Sequence, residues 1–187
     1  ATAILNPRQA DCGYPFKELC GVGIAFKLLQ ALYGPEADDE TWPLLDLVAL
    51  GTIADLVPLI GENRILVKHG LTQLAATDRP GLRALAEVAG ISLSGPGGLT
   101  TGRVAFALAP RINAAGRMDD ATAAVRLLLT QDPVEARELA AGLDRQNRER
   151  QVLEGEILDD ALARDLATHD LARDRAIVLA SPDWHPG

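Results

Sequence analysis

Residues 45–60 read LDLVALGTIADLVPLI. Nearly every side chain in it is apolar, and its only charges are the carboxylates of Asp46 and Asp55. Such a run belongs in a core, where an unpaired carboxylate is costly. A position near the start of a helix suits Asp46, because helix N-termini favour negative charge. Asp55 lies inside the run and requires a cation, a buried hydrogen-bond network or a metal; an N-cap or a satisfied core aspartate is the alternative.

The composition around this stretch is that of a globular protein of one large domain or parts of two. The chain has 187 residues, 48% of them hydrophobic, and a net charge of −8. This charge argues against nonspecific coating of nucleic acid, although a locally basic groove is compatible with it. Cys12 and Cys20 have no matching histidine cluster, so we expect reduced thiols in the cytoplasm rather than a zinc site. The run from 44 to 60 is too short and too acidic for a membrane helix, so no membrane association is expected.

The spacing of apolar residues predicts a mostly helical chain. Helices are expected over residues 17–33 and 63–75, and from Pro80 to a stop at Gly90. After the capping pair Asp132-Pro133, one helix of roughly 35 residues should run to about residue 169, since no proline interrupts it. Residues 144–151 within it are polar throughout, which is typical of a solvent-bridging connector. A nucleic-acid-binding face is the alternative.

Apolar runs near both ends predict β-strands. Residues 1–5 (ATAIL) precede the turn signal Asn6-Pro7, and residues 175–180 (RAIVLA) precede a polar loop. Strands at the two ends with helices between them predict the α/β class. The pattern suggests a slice of a larger α/β protein.

A second informative stretch is RVAFALAPRINAAGRM, residues 103–118. It presents Arg111, Asn113 and Arg117 around three small residues, 114–116, which allow a backbone or a ligand to approach closely. The planar guanidinium of arginine matches phosphate oxygens, and asparagine can bond a backbone or a base edge. The alternative is a structural network in which these arginines pair with acids such as Asp119.

Five segments together resemble the RecJ family, the bacterial single-stranded-DNA-specific 5′→3′ exonucleases of the DHH phosphoesterase superfamily. They are YPFKELCGVG at 14–23, GTIADLVPL at 51–59, ENR at 62–64, APRINAAGR at 109–117 and HPG at 185–187. The resemblance covers essentially the whole chain, in order. It implies a predominantly helical, C-terminal part of a DHH phosphoesterase domain in an α/β protein.

The resemblance also implies a domain organisation. Residues 1–131 would belong to the catalytic DHH domain, 132–170 to a long linker helix, and 171–187 to the start of the associated domain, whose first strand and loop are residues 175–187. The earlier acidic motifs and the Asp-His-His signature of the family would lie upstream of Ala1.

The function implied is hydrolysis of single-stranded DNA to mononucleotides in DNA repair and recombination, using two Mn²⁺ or Mg²⁺ ions. Asp55 matches a metal-binding motif of the family and is the expected metal ligand and catalytic residue. Arg111, Asn113 and Arg117 would contact DNA phosphates at the edge of the cleft, or else pin the linker to the first domain. Single-strand-binding protein and a helicase are candidate partners. The 187-residue chain alone is expected to be inactive, because a lone Asp55 cannot hold two hard cations.

Two other functions stay open at this stage. One is a DHH-type phosphodiesterase that acts on short oligonucleotides or cyclic dinucleotides. The other is a non-catalytic nucleic-acid-binding relative.

Overall fold

The computed structural model describes residues 4–95, 98–118, 121–168 and 175–184, and all regular secondary structure within them is helical. The elements that follow Cys20 lie in this order along the chain: α1 (Gly21–Tyr33), α2 (Ala37–Thr41), α3 (Leu45–Ala54), α4 (Gly61–Ala75), α5 (Pro80–Val88), α6 (Thr101–Arg103), a π-helical turn (Val104–Leu108), α7 (Ala109–Met118), α8 (Thr122–Leu129) and α9 (Pro133–Thr168). Single 3₁₀ turns, Gly34–Glu36 and Trp42–Leu44, flank α2. No helix in these ranges is long and apolar enough to cross a bilayer.

The main core forms where α3, α4, α5, the π-helical turn, α7, α8 and the first part of α9 meet. Because α3 is apolar on every side, it packs in the interior, against α1, α4 and α7. Leucines supply most of the fully buried volume, in keeping with the shortage of aromatic residues. The largest of these apolar side chains are Leu74, Leu82, Leu85, Val104, Leu108, Leu127 and Leu143.

Two glycines allow helix backbones to touch. A Cβ added at Gly70 of α4 would lie 2.3 Å from the carbonyl oxygen of Leu45, and one added at Gly81 of α5 would lie 1.8 Å from that of Leu127. Both distances are far below van der Waals contact, so a larger residue would force the helices apart. The first contact matters most for function, because it sets how α3 crosses α4.

Asp46 lies in the first turn of α3, as the sequence predicts, and is buried. Its carboxylate accepts hydrogen bonds from the Thr77 hydroxyl at 2.8 Å and from Nε of Arg79 at 2.9 Å. It also accepts one from the Leu47 N–H at 2.7 Å. The charge is therefore paired with a cation on the loop between α4 and α5, which offsets its desolvation.

The long helix is confirmed, since α9 runs over 36 residues from Pro133. Asp132 caps it as expected, accepting the Val134 N–H at 2.8 Å. The expectation of a solvent-bridging connector over residues 144–151 differs in part from the structure. Arg145, Arg148 and Glu149 are exposed, whereas Asp144 and Asn147 are buried where α9 packs against α5, α7 and α8. Periodicity within a helix shows which side is polar but not that a polar side faces another element.

Three other predictions differ from the structure. The first helix begins at Gly21 rather than at residue 17. Residues 4–5 and 176–181 have no strand assignment, so the predicted strands, and with them the α/β class, are not confirmed in the described ranges. A strand needs a partner for its backbone groups, and these ranges offer none. Residues 1–3 and 185–187 lie outside the described part.

Candidate functional site

An open cavity of about 780 Å³ lies where the start of α1, the end of α3, α7 and α8 come together. Most of its wall is small or apolar, and among the described residues its polar side chains are Asp55 and Asn113, apart from one thiol. The cavity therefore brings together the two stretches from which the candidate site residues were predicted, residues 45–60 and 103–118. The lining residues are Cys20, Gly21, Val22, Gly51, Ala54, Asp55, Ile112, Asn113, Gly116, Ala121, Ala124, Val125 and Leu128.

Asp55 is the C-cap of α3 and is exposed. Its backbone N–H donates to the Gly51 carbonyl at 3.0 Å. Its carboxylate forms no hydrogen bond or ion pair with the described residues, so it is neither an N-cap nor a satisfied core aspartate. Both carboxylate oxygens are free to bind a ligand from the cavity.

The position of Asp55 favours a cation. The C-terminal end of a helix carries a partial negative charge, because its last carbonyls have no intrahelical donors. A carboxylate at that end adds to this charge instead of offsetting it, and here no described arginine or lysine neutralises the pair. A bound cation would remove the conflict, whereas a neutral ligand would not.

The loop that follows Asp55 is held in place by Asn63, which lies in the first turn of α4. Asn63 is fully buried, and its side-chain N–H groups donate to the Pro58 carbonyl at 3.0 Å and to the Glu18 carbonyl at 2.7 Å. This amide ties the loop 55–60 to the segment that enters α1. It fixes both ends of the cavity wall that carries Asp55.

A second polar cluster, formed by Tyr14, Lys27 and Glu62, lies beside the segment that enters α1. The Tyr14 hydroxyl donates to the Glu62 carboxylate, whose two oxygens lie 2.7 and 2.9 Å away. The Nζ of Lys27 lies 3.6 Å from Oε1 of the same carboxylate. Burial, the hydrogen bond to Glu62 and the charge of Glu62 together raise the pKa of Tyr14 to about 12. The cluster fixes the start of α4 against the loop before α1.

The structure separates the three residues proposed for DNA contact. Asn113 is exposed on the cavity wall, and no described residue hydrogen-bonds its amide. Arg111 points the other way: its Nε and Nη2 both lie 2.9 Å from Oδ1 of Asp144 on α9. These contacts match the alternative in which Arg111 pins the linker helix. The side chain of Arg117, like residues 119–120, lies outside the described part.

Two of the arginines that make this region locally positive are paired with acids. Arg111 pairs with Asp144 and Arg126 pairs with Glu135, so acids of α9 neutralise cations of α7 and α8. Neither of these two arginines lines the cavity.

As a metal site, the described part of the chain is incomplete. Asp55 fits as one ligand, because its carboxylate is a hard oxygen donor that has no partner in the described part of the chain. No group of three or more histidine, cysteine, aspartate or glutamate side chains able to hold a metal occurs within the described residues. Any centre of two hard cations needs further ligands from elsewhere.

Comparisons with known proteins agree with this incompleteness. No family model matches. RecJ of Bacillus subtilis, a single-stranded-DNA-specific exonuclease, is 47% identical over 185 residues, which are 99% of this chain and 22% of that protein. The chain is homologous to one segment of RecJ. The crystal structure of RecJ from Thermus thermophilus in complex with Mn²⁺ matches 95% of this chain with a TM-score of 0.73 and 42% identity, and this chain covers 25% of it.

A second structure of Thermus thermophilus RecJ, in complex with Mg²⁺, matches 93% of the chain with a TM-score of 0.74 at the same identity. The resemblance to the RecJ family is therefore confirmed, and RecJ structures contain either of the two metals that the resemblance implies. The chain spans about a fifth to a third of the length of the curated relatives that it matches.

Sequence reasoning missed the residues that hold the site in place. Asn63 lies in the quoted ENR segment but gave no sign that it would be buried. Asp144 lies 33 positions from Arg111, so no local spacing connects them. Of the three small residues at 114–116, only Gly116 lines the cavity, because Ala114 and Ala115 are fully buried.

Proposed function

We propose that this chain is the part of a single-stranded-DNA-specific 5′→3′ exonuclease that supplies Asp55 to a centre of two Mn²⁺ or Mg²⁺ ions. The observation that carries the proposal is the unpartnered carboxylate of Asp55, at the C-terminal end of α3 on the cavity wall. The homology to RecJ supports the substrate and the metals. The other metal ligands would come from parts of the longer protein that this chain does not include.

Three residues of the cavity have a role in this proposal. Asp55 contributes a hard oxygen ligand at a helix end that favours a cation. When bound, the two ions would activate water and stabilise the charge that develops on the phosphoryl group. Asn113 would donate an amide N–H to a phosphate or a base edge. Gly116 leaves open space at its Cα, so that a sugar-phosphate backbone can lie close to α7.

Arg111 and Arg117 have separate roles in the proposal. Arg111 acts as a positioning residue, since its guanidinium is engaged by Asp144. Arg117 follows Asn113 by one helical turn of α7 and is the arginine of the segment that we assign to DNA phosphate. The net charge of −8 means that affinity for a polyanion must come from such local contacts and from the metals.

The domain division and the partners belong to the same proposal. Residues 1–131 would form part of the catalytic domain, 132–170 the linker helix and 171–187 the start of the associated domain. A cytoplasmic enzyme of this kind needs an exposed single strand, which single-strand-binding protein or a helicase would supply in repair and recombination.

The test is Asp55→Asn in the full-length protein. The change keeps the shape of the side chain and removes its charge, so Mn²⁺-dependent release of mononucleotides from a 5′-phosphorylated single strand should fall by at least roughly a hundredfold. Asp78→Asn is the matched control, because the Asp78 side chain is 98% exposed and lies outside the cavity. Near-normal turnover of Asp55→Asn would refute the assignment.

A dinucleotide as substrate separates this proposal from a phosphodiesterase of short oligonucleotides. An exonuclease should degrade the long strand with a much higher kcat/KM than the dinucleotide. The opposite preference would assign the site to the second class of substrate.

A further inference from the structure

Asp144 is a buried carboxylate in the first half of α9, with its side chain only 8% exposed. One oxygen, Oδ1, accepts a hydrogen bond from Nε of Arg111 and lies 2.9 Å from Nη2 of the same residue. The other, Oδ2, lies 2.6 Å from Nη2 of Arg148, one turn further along α9. Both oxygens thus contact cations, and the more buried of the two, Arg111, links the carboxylate to α7.

Arg111 connects three elements through one side chain. Besides Asp144, its Nη1 donates to the carbonyl oxygen of Ala107 at 2.6 Å, within the π-helical turn 104–108. Such wide turns occur frequently at functional sites. The guanidinium therefore fixes the junction between the π-helical turn and α7 against the long helix.

The opposite side of α7 forms the wall of the cavity. Successive residues of an α-helix are about 100° apart, so Asn113 lies about 200° around the axis from Arg111. This geometry agrees with the contacts, since Arg111 meets α9 while Asn113 and Gly116 line the cavity with Asp55. A displacement of Arg111 towards or away from α9 must move Asn113 relative to Asp55.

Stability alone does not account for such a pair. Replacing a buried ion pair by apolar residues of similar volume is often neutral or stabilising, since desolvation cancels much of the attraction. What the pair provides that apolar contact does not is a defined geometry, because two nitrogens of one planar group meet a single oxygen.

We infer that Asp144 is a positioning residue for the single strand: acting through Arg111, it sets the place of the Asn113 wall relative to Asp55. The position of α9 against α7 is thereby coupled to the shape of the cavity that would bind DNA. This inference rests on the proposed function for the identity of the ligand. It assigns Asp144 no contact with DNA.

The test measures DNA binding in the full-length protein without metal. A fluorescent 5′-phosphorylated single strand is titrated in EDTA, which prevents cleavage and makes the readout independent of any metal at Asp55. Asp144→Asn should raise the Kd roughly tenfold, the size expected for coupling through a packed contact. Glu154→Gln is the matched control, because Glu154 is an exposed carboxylate that pairs with Arg150 on the same helix.

The control also decides between positioning and simple charge. Both substitutions remove one negative charge, so an electrostatic effect alone would tighten binding in both. Release of Arg111 to bind phosphate directly would tighten binding in Asp144→Asn only. A Kd for Asp144→Asn equal to or below that of Glu154→Gln overturns the inference.

A second variant guards against loss of folding. Arg111→Met with Asp144→Leu replaces the pair by apolar side chains and should keep the melting temperature near that of the wild type. Its Kd should still rise as in Asp144→Asn. Wild-type affinity in this variant would mean that the pair only fills space. Activity of Asp55→Asn tests the metal separately, so failure of one proposal does not conceal failure of the other.

Discussion

A substitution at Gly70 should change the orientation of α3 and, with it, the position of Asp55. In Gly70→Ala the new Cβ would lie 2.3 Å from the carbonyl oxygen of Leu45 and 2.5 Å from Cβ of Ala49. Both contacts are with helix backbone or a side chain that cannot rotate away. The crossing of α3 and α4 must open by about 1 Å to reach ordinary van der Waals separation.

The expected change in the free energy of unfolding follows from two opposing terms. Overpacking of a tight core costs about 1–3 kcal/mol, and the upper part of this range applies because the obstacle is backbone. Replacing a helical glycine by alanine returns about 0.5–1 kcal/mol through lower entropy of the unfolded chain. The net loss is about 2 kcal/mol, which lowers the melting temperature of a chain of this length by about 4–8 °C.

Thermal denaturation of the 187-residue chain, followed by far-ultraviolet circular dichroism, measures this change. Gly155→Ala in α9 is the matched control, because no atom lies within 4 Å of its added Cβ. It should raise the melting temperature by about 1–4 °C, since only the favourable term remains. A melting temperature of Gly70→Ala at or above that of the wild type would refute the packing argument.

Three further predictions concern single side chains. Asp46→Asn leaves Arg79 without its charge partner in a largely buried site, so the chain should lose about 2–3 kcal/mol of stability by urea denaturation; an unchanged midpoint would contradict this. Folding raises the pKa of Tyr14 to about 12, so the folded chain keeps a proton that the unfolded chain loses near pH 10. The stability that Tyr14 contributes is thus complete below pH 10 and is lost as the pH rises to about 12. The urea midpoint of Tyr14→Phe should therefore fall less than that of the wild type over this interval. An equal fall in both proteins would argue against the hydrogen bond to Glu62. Leu56 has a φ of 54° and is 84% exposed, so Leu56→Gly should raise the melting temperature by relieving about 1 kcal/mol of strain, whereas a fall would show that its side chain is needed.

Features that depend on neighbours within one or two helical turns could be predicted from the sequence. The start of α9 follows from Asp132-Pro133, because a capping carboxylate and a proline act on the adjacent turn. Its length follows from the absence of any further proline up to Thr168. The burial of α3 follows from its apolar side chains. The family was also recognisable from sequence, since its motifs are contiguous segments.

The partners of the individual charges could not be predicted from the sequence, because they depend on the packing of distant elements. Asp46 and Asp55 lie in the same apolar run, yet one is buried with Arg79 and the other faces an open cavity. Their partners, or the lack of them, are set by loops and helices far along the chain. In the same way Arg111 meets Asp144, 33 residues away, while Asn113 turns to the cavity. Local periodicity identifies a polar side chain but not what lies opposite it, because the energy of a charge depends on groups that folding alone brings within reach.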